Sequence, residues 1–282
     1  MSAAPHRATP EPLGLLRNRL LRALPAAELA RLAPALERVC MESRQLAFDV
    51  DVPIQHVYFP EDCVISVVGV MTDGSAVETA TVGWEGMVGL PVFLGVESTP
   101  AQAFCQIPGD ALRLDAGTLQ REVDRGGQLH AVLNRYTQAH LTQIAQASAC
   151  NRVHTMRQRC ARWLLQTHDR VGRDEFPLTQ RFLSQMLGVR RATVTEAAGS
   201  LQQSGLITYV HGRVTVRDRR GLERVACECY AIIRRELERL LDGRVSPSPL
   251  DGVRVSEAGR SIVGDAAPRS GDEPTPHLHP LR

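Results

Sequence analysis

The chain has 282 residues, of which 43% are hydrophobic, and a formal net charge of +2 at pH 7. This length accommodates two domains with cores of their own, and so small a charge excludes a protein that attracts polyanions by its overall field. No run approaches the roughly 18 apolar residues of a membrane span, and the first residues lack the apolar core of a signal peptide. We therefore expect a cytoplasmic protein without a membrane partner.

The N-terminal part of the sequence changes texture twice. Residues 1–12 are rich in Pro and Ala, which predicts disorder, and leucines at helical spacing around a proline break then predict a short helical lead-in. Between about Ser43 and Leu114, short runs rich in Val, Ile, Thr and Phe alternate with turn sequences such as TDG and PGD. This pattern predicts an antiparallel sandwich or barrel.

A long amphipathic helix is predicted between Gln128 and Asn151, where residues on one stripe recur at steps of three and four. The stripe packs either against the β domain of the same chain or against its twin in a dimer, and the pattern alone leaves both alternatives open. A second helix, RVHTMRQRCARWLLQTHDRV, and a loop, GRDEFP, are predicted to follow. The residues of the stripe are Leu133, Tyr136, His140, Ile144 and Ala147.

The stretch LTQRFLSQMLGVRRATVTEAAGSLQQSGLI, Leu178 to Ile207, predicts two short helices with a tight turn between them. Thr179 can cap a first helix that runs to residue 186 or 187, and Gly188 supplies the left-handed turn that ends it. A second helix is predicted from about Arg191 to Gln203. This spacing is that of a helix-turn-helix.

Polar side chains at the start of the second helix are predicted to point outward. An arginine can donate two bonds to guanine, a threonine can contact a phosphate or a thymine methyl, and a glutamate can accept from cytosine. Two cations at a helix N-terminus also oppose the helix dipole, a local cost that an approaching polyanion relieves. The alternative is an ordinary helical hairpin with solvated charges. The outward residues are Arg190, Arg191, Thr193, Thr195 and Glu196.

The sequel, LITYVHGRVTVRD, places two β-rich runs on either side of His211 and Gly212, which predicts a hairpin. Helix, turn, helix and hairpin together make a winged helix, with Arg213 on the sugar-phosphate backbone beside the groove. The segment DRRGLERVACECYAIIRRELERLL is then predicted to form one amphipathic helix. The tail after Gly243 is rich in Pro, Ser, Gly and charge, which predicts disorder.

The seven cysteines are scattered and odd in number, so they are predicted to be small core residues without a disulfide framework. The CEC pair at 227–229 falls in a predicted helix, where positions two apart point away from each other. It therefore differs from a CxxC ligand pair, and no metal site is predicted. Catalysis is not expected either, because the nine histidines are dispersed; among them are His56, His130, His140, His154, His168 and His211.

The order of these parts resembles the Crp/Fnr family of bacterial transcription regulators, over roughly Leu15 to Leu241. Two further motifs, VYFPEDCVISVV at 57–68 and TVGWEGMVGLPVFLG at 81–95, are similar to the family's sensor domain. The resemblance implies an α+β fold with an N-terminal β jelly roll, a long dimerisation helix and a C-terminal winged helix-turn-helix. The implied domains are a disordered N-terminus at 1–12, a cyclic-nucleotide-binding-like sensor at 13–125, the helix at 126–151, the DNA-binding domain at 152–242 and a disordered tail at 243–282.

The resemblance also implies roles for individual residues. Arg191 falls where many members have the arginine that contacts guanine, and Thr193 matches a position that commonly approaches the phosphate backbone. Ala192 and Glu196 depart from the catabolite activator branch, so its operator sequence cannot be carried over. Base reading is assigned to Arg191, Thr195 and Glu196, and backbone contact to Thr179, Arg190, Thr193 and Arg213.

The sensor loop, which contains Gly86, Gly89 and Leu90, departs from the nucleotide-binding members that it resembles. Those members have a glutamate just after the glycine and an arginine farther on, whereas Leu90 follows Gly89 here and STPAQAF at 98–104 offers no arginine. A buried phosphate without a guanidinium partner is poorly compensated, so cyclic AMP is not the expected effector. The N-terminal cysteine cluster of iron–sulfur members is absent and nothing indicates haem, so no cofactor is expected.

The resemblance implies a homodimeric, sequence-specific DNA-binding transcriptional regulator. Its implied partners are double-stranded DNA, RNA polymerase and an unidentified small-molecule effector. The alternatives are a dimeric protein-interaction scaffold that has lost DNA binding, and an enzyme. A scaffold would have no reason to keep Arg190, Arg191 and Arg213 together.

Overall fold

The computed structural model describes residues 16–243. The segment 1–12 and the tail beyond Gly243, both predicted from the sequence to be disordered, lie outside the described residues. Within the described residues, no helix is long and apolar enough to cross a membrane.

Two short helices lead into seven strands that form two antiparallel sheets. One sheet has the order β1-β7-β3 and the other β2-β6-β4-β5, which confirms the predicted jelly roll. The elements are α1 (Arg19–Arg22), α2 (Ala26–Leu32), β1 (Glu37–Met41), β2 (Leu46–Phe48), β3 (His56–Pro60), β4 (Val64–Val70), β5 (Ala76–Val82), α3 (Leu90–Phe93), β6 (Ala101–Ile107) and β7 (Gly109–Asp115).

Strand β1 begins before the predicted start of the β domain at Ser43. Only Met41 at its end is buried, so the alternation of apolar and polar residues that marks a half-buried strand is weak there. Pairing with β7, from Glu37 opposite Arg113 to Met41 opposite Gly109, supplies the backbone partners instead.

The core of the β domain lies between the two sheets and is closed by helices. Phe59, Ile65 and Leu112 are fully buried at its centre, and the first half of the long helix packs over it. The long helix extends from Gln128 to Val153, two residues beyond the predicted end. The helices after the sandwich are α4 (Ala116–Asp124), α5 (Gln128–Val153) and α6 (Met156–Val171).

The C-terminal part contains a helix pair and a third sheet, which has three strands in the order β8-β10-β9. The loop predicted for GRDEFP is partly wrong, because Glu175–Pro177 forms β8 against β10. A strand of three residues gives no periodic signal of its own. The remaining elements are β8 (Glu175–Pro177), α7 (Gln180–Met186), α8 (Arg191–Gln203), β9 (Ile207–Val210), β10 (Arg213–Val216), α9 (Arg219–Val225) and α10 (Cys229–Asp242).

The single helix predicted after β10 is also wrong, because α9 and α10 are separate helices. Ala226 has an extended backbone, with φ −62° and ψ 152°, and ends α9. No glycine or proline marks this break, and the apolar spacing is compatible with one helix or two. Cys227 consequently lies between the two helices and Cys229 begins the second.

Helix α6 joins the β domain to the helix pair through polar contacts. The indole Nε1 of Trp163 donates to Glu78 Oε1 over 2.7 Å. Arg170 forms an ion pair with Glu85, also at 2.7 Å, and both side chains are 7% exposed. Removal of one partner of a buried ion pair strongly destabilises a protein. The Arg170–Glu85 pair therefore fixes the position of α6 on the β domain.

Candidate DNA interface

The helix pair has the caps that the sequence predicts. The Thr179 hydroxyl accepts a hydrogen bond from the Phe182 amide at 3.1 Å and begins α7. Gly188, with φ 63°, supplies the left-handed turn before α8. Apolar side chains then hold the helices together; those that are buried include Leu183, Met186, Val194, Ala197, Ala198 and Leu201.

The N-terminus of α8 is open to solvent and carries positive charge. Arg190 occupies the cap position with an extended backbone, and its side chain makes no capping bond. Arg190 and Arg191 are both exposed, and within residues 16–243 neither guanidinium takes part in an ion pair. Unsatisfied amide groups, the helix dipole and two cations coincide here, which is an arrangement that favours an anion.

The other predicted base-reading residues, Thr195 and Glu196, lie farther along α8. Glu196 is exposed. The Thr195 hydroxyl is exposed too, but it lies 2.8 Å from Gln180 Oε1 and 3.0 Å from the Arg191 carbonyl oxygen. Thr195 therefore fastens the start of α8 to the start of α7, a role that the sequence did not indicate.

Strands β9 and β10 form the predicted wing. His211 and Gly212 at its tip have φ values of 47° and 74°, as a two-residue hairpin of the primed type requires. Arg213 is exposed and forms an ion pair with Glu175 on β8. The Leu178 amide donates to the Gly212 carbonyl at 2.7 Å, so the wing tip is tied to the chain just before α7.

Two contacts of the helix pair come from outside it and were missed by sequence reasoning. Arg159 on α6 is buried, and its Nη2 donates to the Leu187 carbonyl at 2.7 Å, at the end of α7. On the other side, Thr193 and Gly188 line a groove next to Val77 of β5. A Cβ atom at Gly188 would lie 3.1 Å from a Val77 methyl group. Neither contact leaves a local signal, because the partners are far apart in the chain.

The predicted sensor loop is packed closed against its neighbours. A Cβ atom at Gly86 would lie 2.2 Å from the Tyr136 hydroxyl on α5, and one at Gly89 would lie 2.7 Å from Val57. Gly89 also has φ 102°, which favours glycine. Leu90 is buried at 8% exposure. The glycines of this loop are thus explained by close packing, and the Leu90 side chain points into the protein.

The structure divides the predicted dimer stripe. Leu133 and Tyr136 are 0% and 2% exposed and belong to the core of their own β domain, so they are not available to a second chain. His140, Ile144 and Ala147 are half-buried. Burial, with Arg170 nearby, lowers the pKa of His140 to about 4. The alternative in which the stripe packs on its own chain therefore holds for the first half of α5.

Four residues that the sequence left apart meet at the far end of α5. Cys150 and His154 come from this end, and Cys227 and Cys229 come from the break between α9 and α10. The prediction that positions 227 and 229 point away from each other is wrong, because it assumed a continuous helix. Cys227 lies outside both helices, and its side chain turns toward the same point as that of Cys229.

Part of the chain that includes the helix pair and the wing matches a known family model. Residues 158–225 match the family model of the Crp-like helix-turn-helix domain. No curated protein matches the sequence.

Solved structures match the chain over a longer span. FixK2 from Bradyrhizobium japonicum is 18% identical, with a TM-score of 0.59 over 68% of this chain and 98% of that chain. A putative transcriptional regulator of the Crp/Fnr family from Eubacterium rectale is 14% identical, with a TM-score of 0.59 over 74% and 98%. The c-di-GMP-responsive global regulator CLP from Xanthomonas campestris is 13% identical, with a TM-score of 0.57 over 68% and 99%. At such low sequence identities, these matches establish that the fold is shared and nothing further.

Proposed function

We propose that this chain is a homodimeric, sequence-specific DNA-binding transcription regulator of the Crp/Fnr type. It shares its fold with FixK2 and with a putative Crp/Fnr-family regulator, and its residues 158–225 match the Crp-like helix-turn-helix domain. The observation that carries the proposal is the open N-terminus of α8 with its two exposed arginines, in a domain whose wing has a further exposed arginine. The sensor domain biases where the two winged helices of the dimer lie, and RNA polymerase and a small-molecule effector complete the set of partners.

The proposed interface divides reading from positioning. Arg191, Thr195 and Glu196 read base edges in the major groove, where arginine recognises guanine and glutamate recognises cytosine. Thr195 then exchanges its bond to Gln180 for a base or a thymine methyl group. Where the contact is to a methyl group, the hydroxyl still has the Arg191 carbonyl oxygen as an acceptor at 3.0 Å.

Phosphate contacts fall to the residues at the rim of the helix pair and on the wing. Arg190 lies at the cap of α8, where the helix dipole reinforces an anion contact. Arg213 exchanges Glu175 for a phosphate; an exposed pair of this kind contributes only about 0–1 kcal/mol, so giving it up costs little. Thr179 and Thr193 complete the contacts to the backbone.

Dimerisation through α5 brings two α8 helices to half-sites about 34 Å apart. The free face of α5 supports this arrangement, because Leu141 is 56% exposed, and Gln138, Ala145 and Ser148 beside it are exposed as well. These residues recur at steps of three and four, which is the spacing of a helix–helix seam. The proposed dimer contact thus lies opposite the face that packs on the β domain.

Cyclic AMP and cyclic GMP are not proposed as the effector. The Leu90 side chain is turned into the protein, and it stands where nucleotide-binding members are expected to have a carboxylate. A cyclic phosphate in this loop would be buried without a cation. The effector can be identified by mass spectrometry of the molecules that the sensor domain holds in protein purified from its native host.

The test is a binding selection over randomised operators at fixed salt, with the wild type, Arg191→Ala and Arg213→Ala. Arg191→Ala should cost about 1–3 kcal/mol on the cognate site and relax the preference at one base pair. Arg213→Ala should weaken binding to all sequences alike and reduce the salt dependence by about one phosphate contact.

The two variants serve as controls for each other, because both remove one exposed guanidinium from the same domain. If Arg191→Ala lowers affinity uniformly and leaves the selected motif unchanged, Arg191 is a phosphate contact and base reading belongs to Thr195 and Glu196. A wild-type protein that shows no salt-dependent DNA binding would contradict the proposed function and favour a scaffold.

A further inference from the structure

A cluster of three cysteines and one histidine lies where α5 ends and where α9 gives way to α10. One candidate ligand atom from each of Cys150, His154, Cys227 and Cys229 lies within 4.8 Å of all the others. Cys150 lies in the last turn of α5, and the amide of His154, the residue that follows this helix, donates to the Cys150 carbonyl at 3.1 Å. The extended link between α9 and α10 brings the other two residues to this end of the helix.

The distances between these atoms are those between the ligands of one small metal ion. The Cys150 and Cys227 sulfur atoms lie 3.5 Å apart, and the Cys229 sulfur lies 3.5 Å from His154 Nδ1. Zinc binds thiolate sulfur at about 2.3 Å and imidazole nitrogen at about 2.0–2.1 Å, so neighbouring ligands of a tetrahedral zinc are about 3.3–3.8 Å apart. Two of the six distances between ligand atoms thus match a mononuclear tetrahedral site, and the other four are within 4.8 Å.

The surroundings hold the ligands in place. His154 Nε2 lies 3.1 Å from Glu228 Oε1, which leaves Nδ1 to face the sulfur atoms. A carboxylate on the far nitrogen is the usual partner of a metal-bound histidine, because it fixes the tautomer and the ring orientation. Gln146 Nε2 lies 3.1 Å from the Cys229 sulfur and can donate to it. Both outer partners match those of a metal ligand set.

Burial and charge agree with a closed site. Cys150, Cys227 and Cys229 are 0%, 3% and 0% exposed and pack against one another as a separate cluster. Arg162 lies near Cys150, and Arg159 lies near Cys150 and Cys227. Three thiolates and one divalent cation leave a net charge of −1, which the guanidinium groups of Arg159 and Arg162 offset.

We propose that Cys150, His154, Cys227 and Cys229 bind a structural Zn²⁺ ion. Four protein ligands leave no open position, which distinguishes a structural from a catalytic zinc site. Binding replaces the protons of the three thiols, and these protons are released to solvent. A cysteine and histidine ligand set selects zinc over the hard cations Mg²⁺ and Ca²⁺.

The proposed site connects the DNA-binding domain to the long helix, at the bend between α5 and α6. His154 has an extended backbone, with φ −97° and ψ 149°, between the end of α5 and the start of α6. Its ring would share one ion with the first residue of α10. The ion thus joins the helix that carries the proposed dimer contact to the last helix of the described chain.

The experiment measures metal content in the full-length protein, purified under reducing conditions without chelators. Mass spectrometry of the metals should find about one zinc per chain in the wild type. Cys227→Ser and Cys229→Ser should each lower this to a small fraction. Cys160→Ala, which changes a buried cysteine outside the cluster, and Cys40→Ser, which changes an exposed one, should retain zinc.

A second measurement separates metal binding from packing. His154→Cys offers a fourth sulfur ligand and should keep the zinc, whereas His154→Ala should lose it. Cobalt exchanged into the wild type should give the intense visible absorption of a tetrahedral thiolate site, and the absorption should change when His154 becomes Cys. This spectrum also tests the site if the serine variants fail to fold.

Zinc-free wild type with three reactive thiols, or with a disulfide between Cys150 and Cys227, would overturn the proposal. Zinc that persists unchanged in Cys227→Ser and Cys229→Ser would overturn it as well. The inference does not depend on DNA binding, and Arg191→Ala should therefore keep its zinc even where it loses base preference.

Discussion

Gly86 shows how a single absent side chain positions the sensor loop. The Tyr136 ring from α5 fills the space where a Cβ atom would stand, and its hydroxyl donates to the Met87 carbonyl at 3.3 Å. Close packing of this kind transmits any shift of the loop to the long helix, because a well-packed contact does not deform continuously. Gly86 is therefore a contact point between sensor and helix.

Gly86→Ala should destabilise the protein at the upper end of about 1–3 kcal/mol, which is the cost of inserting a methyl group into a packed core. Chemical denaturation measures this directly. Gly199→Ala is the matched control, because a Cβ atom at that helical position meets nothing within 4 Å, and it should stabilise by about 0.5–1 kcal/mol.

Combining Gly86→Ala with Tyr136→Leu should cost less than the sum of the two single substitutions, since the smaller side chain makes room for the methyl group. Strict additivity would mean that the two residues do not share one packing site.

At the scale of elements, α5 has two faces with different tasks. Its inner face contributes Leu129, Val132 and Leu133 to the core of the β domain. Its outer face presents Leu141 and its small, polar neighbours to solvent. The sequence periodicity predicted the helix but could not assign its faces. An apolar stripe can pack equally well in the core of its own chain or at a dimer interface.

Leu141→Glu should dissociate the proposed dimer, since it places a charge in the middle of the seam, and should leave the stability of the protomer nearly unchanged. Sedimentation velocity at micromolar concentration measures the association. Leu133→Ala is the contrasting variant: it should cost about 2–5 kcal/mol of stability while the folded protein still associates. A dimer that tolerates Leu141→Glu would move the interface elsewhere.

For the molecule as a whole, the joint between the β domain and α6 concentrates buried charge. Arg170 and Glu85 pair there, and Gln143 Oε1 lies 3.3 Å from an Arg170 nitrogen atom. His140 stands close by, and burial, followed by the charge of Arg170, lowers its pKa to about 4. The folded protein thus holds this histidine neutral, while the unfolded chain protonates it near pH 6.5.

Stability should therefore fall as the pH decreases from about 6.5 to about 4, because the unfolded state binds the proton first. His140→Gln removes this contribution. The unfolding free energy of the wild type minus that of the variant should therefore decrease as the pH falls. Denaturant titrations across that range measure the difference. Curves that stay parallel would mean that His140 titrates alike in both states.

Much of this architecture could be predicted from short stretches of the sequence. Gly188, Thr179 and the His211–Gly212 pair gave the bounds of the helix pair and the wing, because turns and caps depend on neighbouring residues. The residues of the proposed zinc site could not be predicted from the sequence, since Cys150 and Cys227 are 77 positions apart. The break at Ala226, which brings Cys227 and Cys229 together, has no sequence signal either. Strand β8 was not predicted for a similar reason, because its partner β10 follows α7 and α8 in the chain.

The wing sheet is assembled from both sides of the helix pair. β8 precedes α7 and β10 follows α8, and Pro177 pairs with Arg213, so both helices lie inside one closed loop of chain. Closing such a loop costs entropy that only the completed sheet returns. Helix α8, which carries the proposed base-reading residues, can therefore not be transferred to another protein by itself. An exchange of DNA specificity between two regulators has to carry the chain from Glu175 through Val216, because a shorter graft leaves one edge of the sheet behind in the donor.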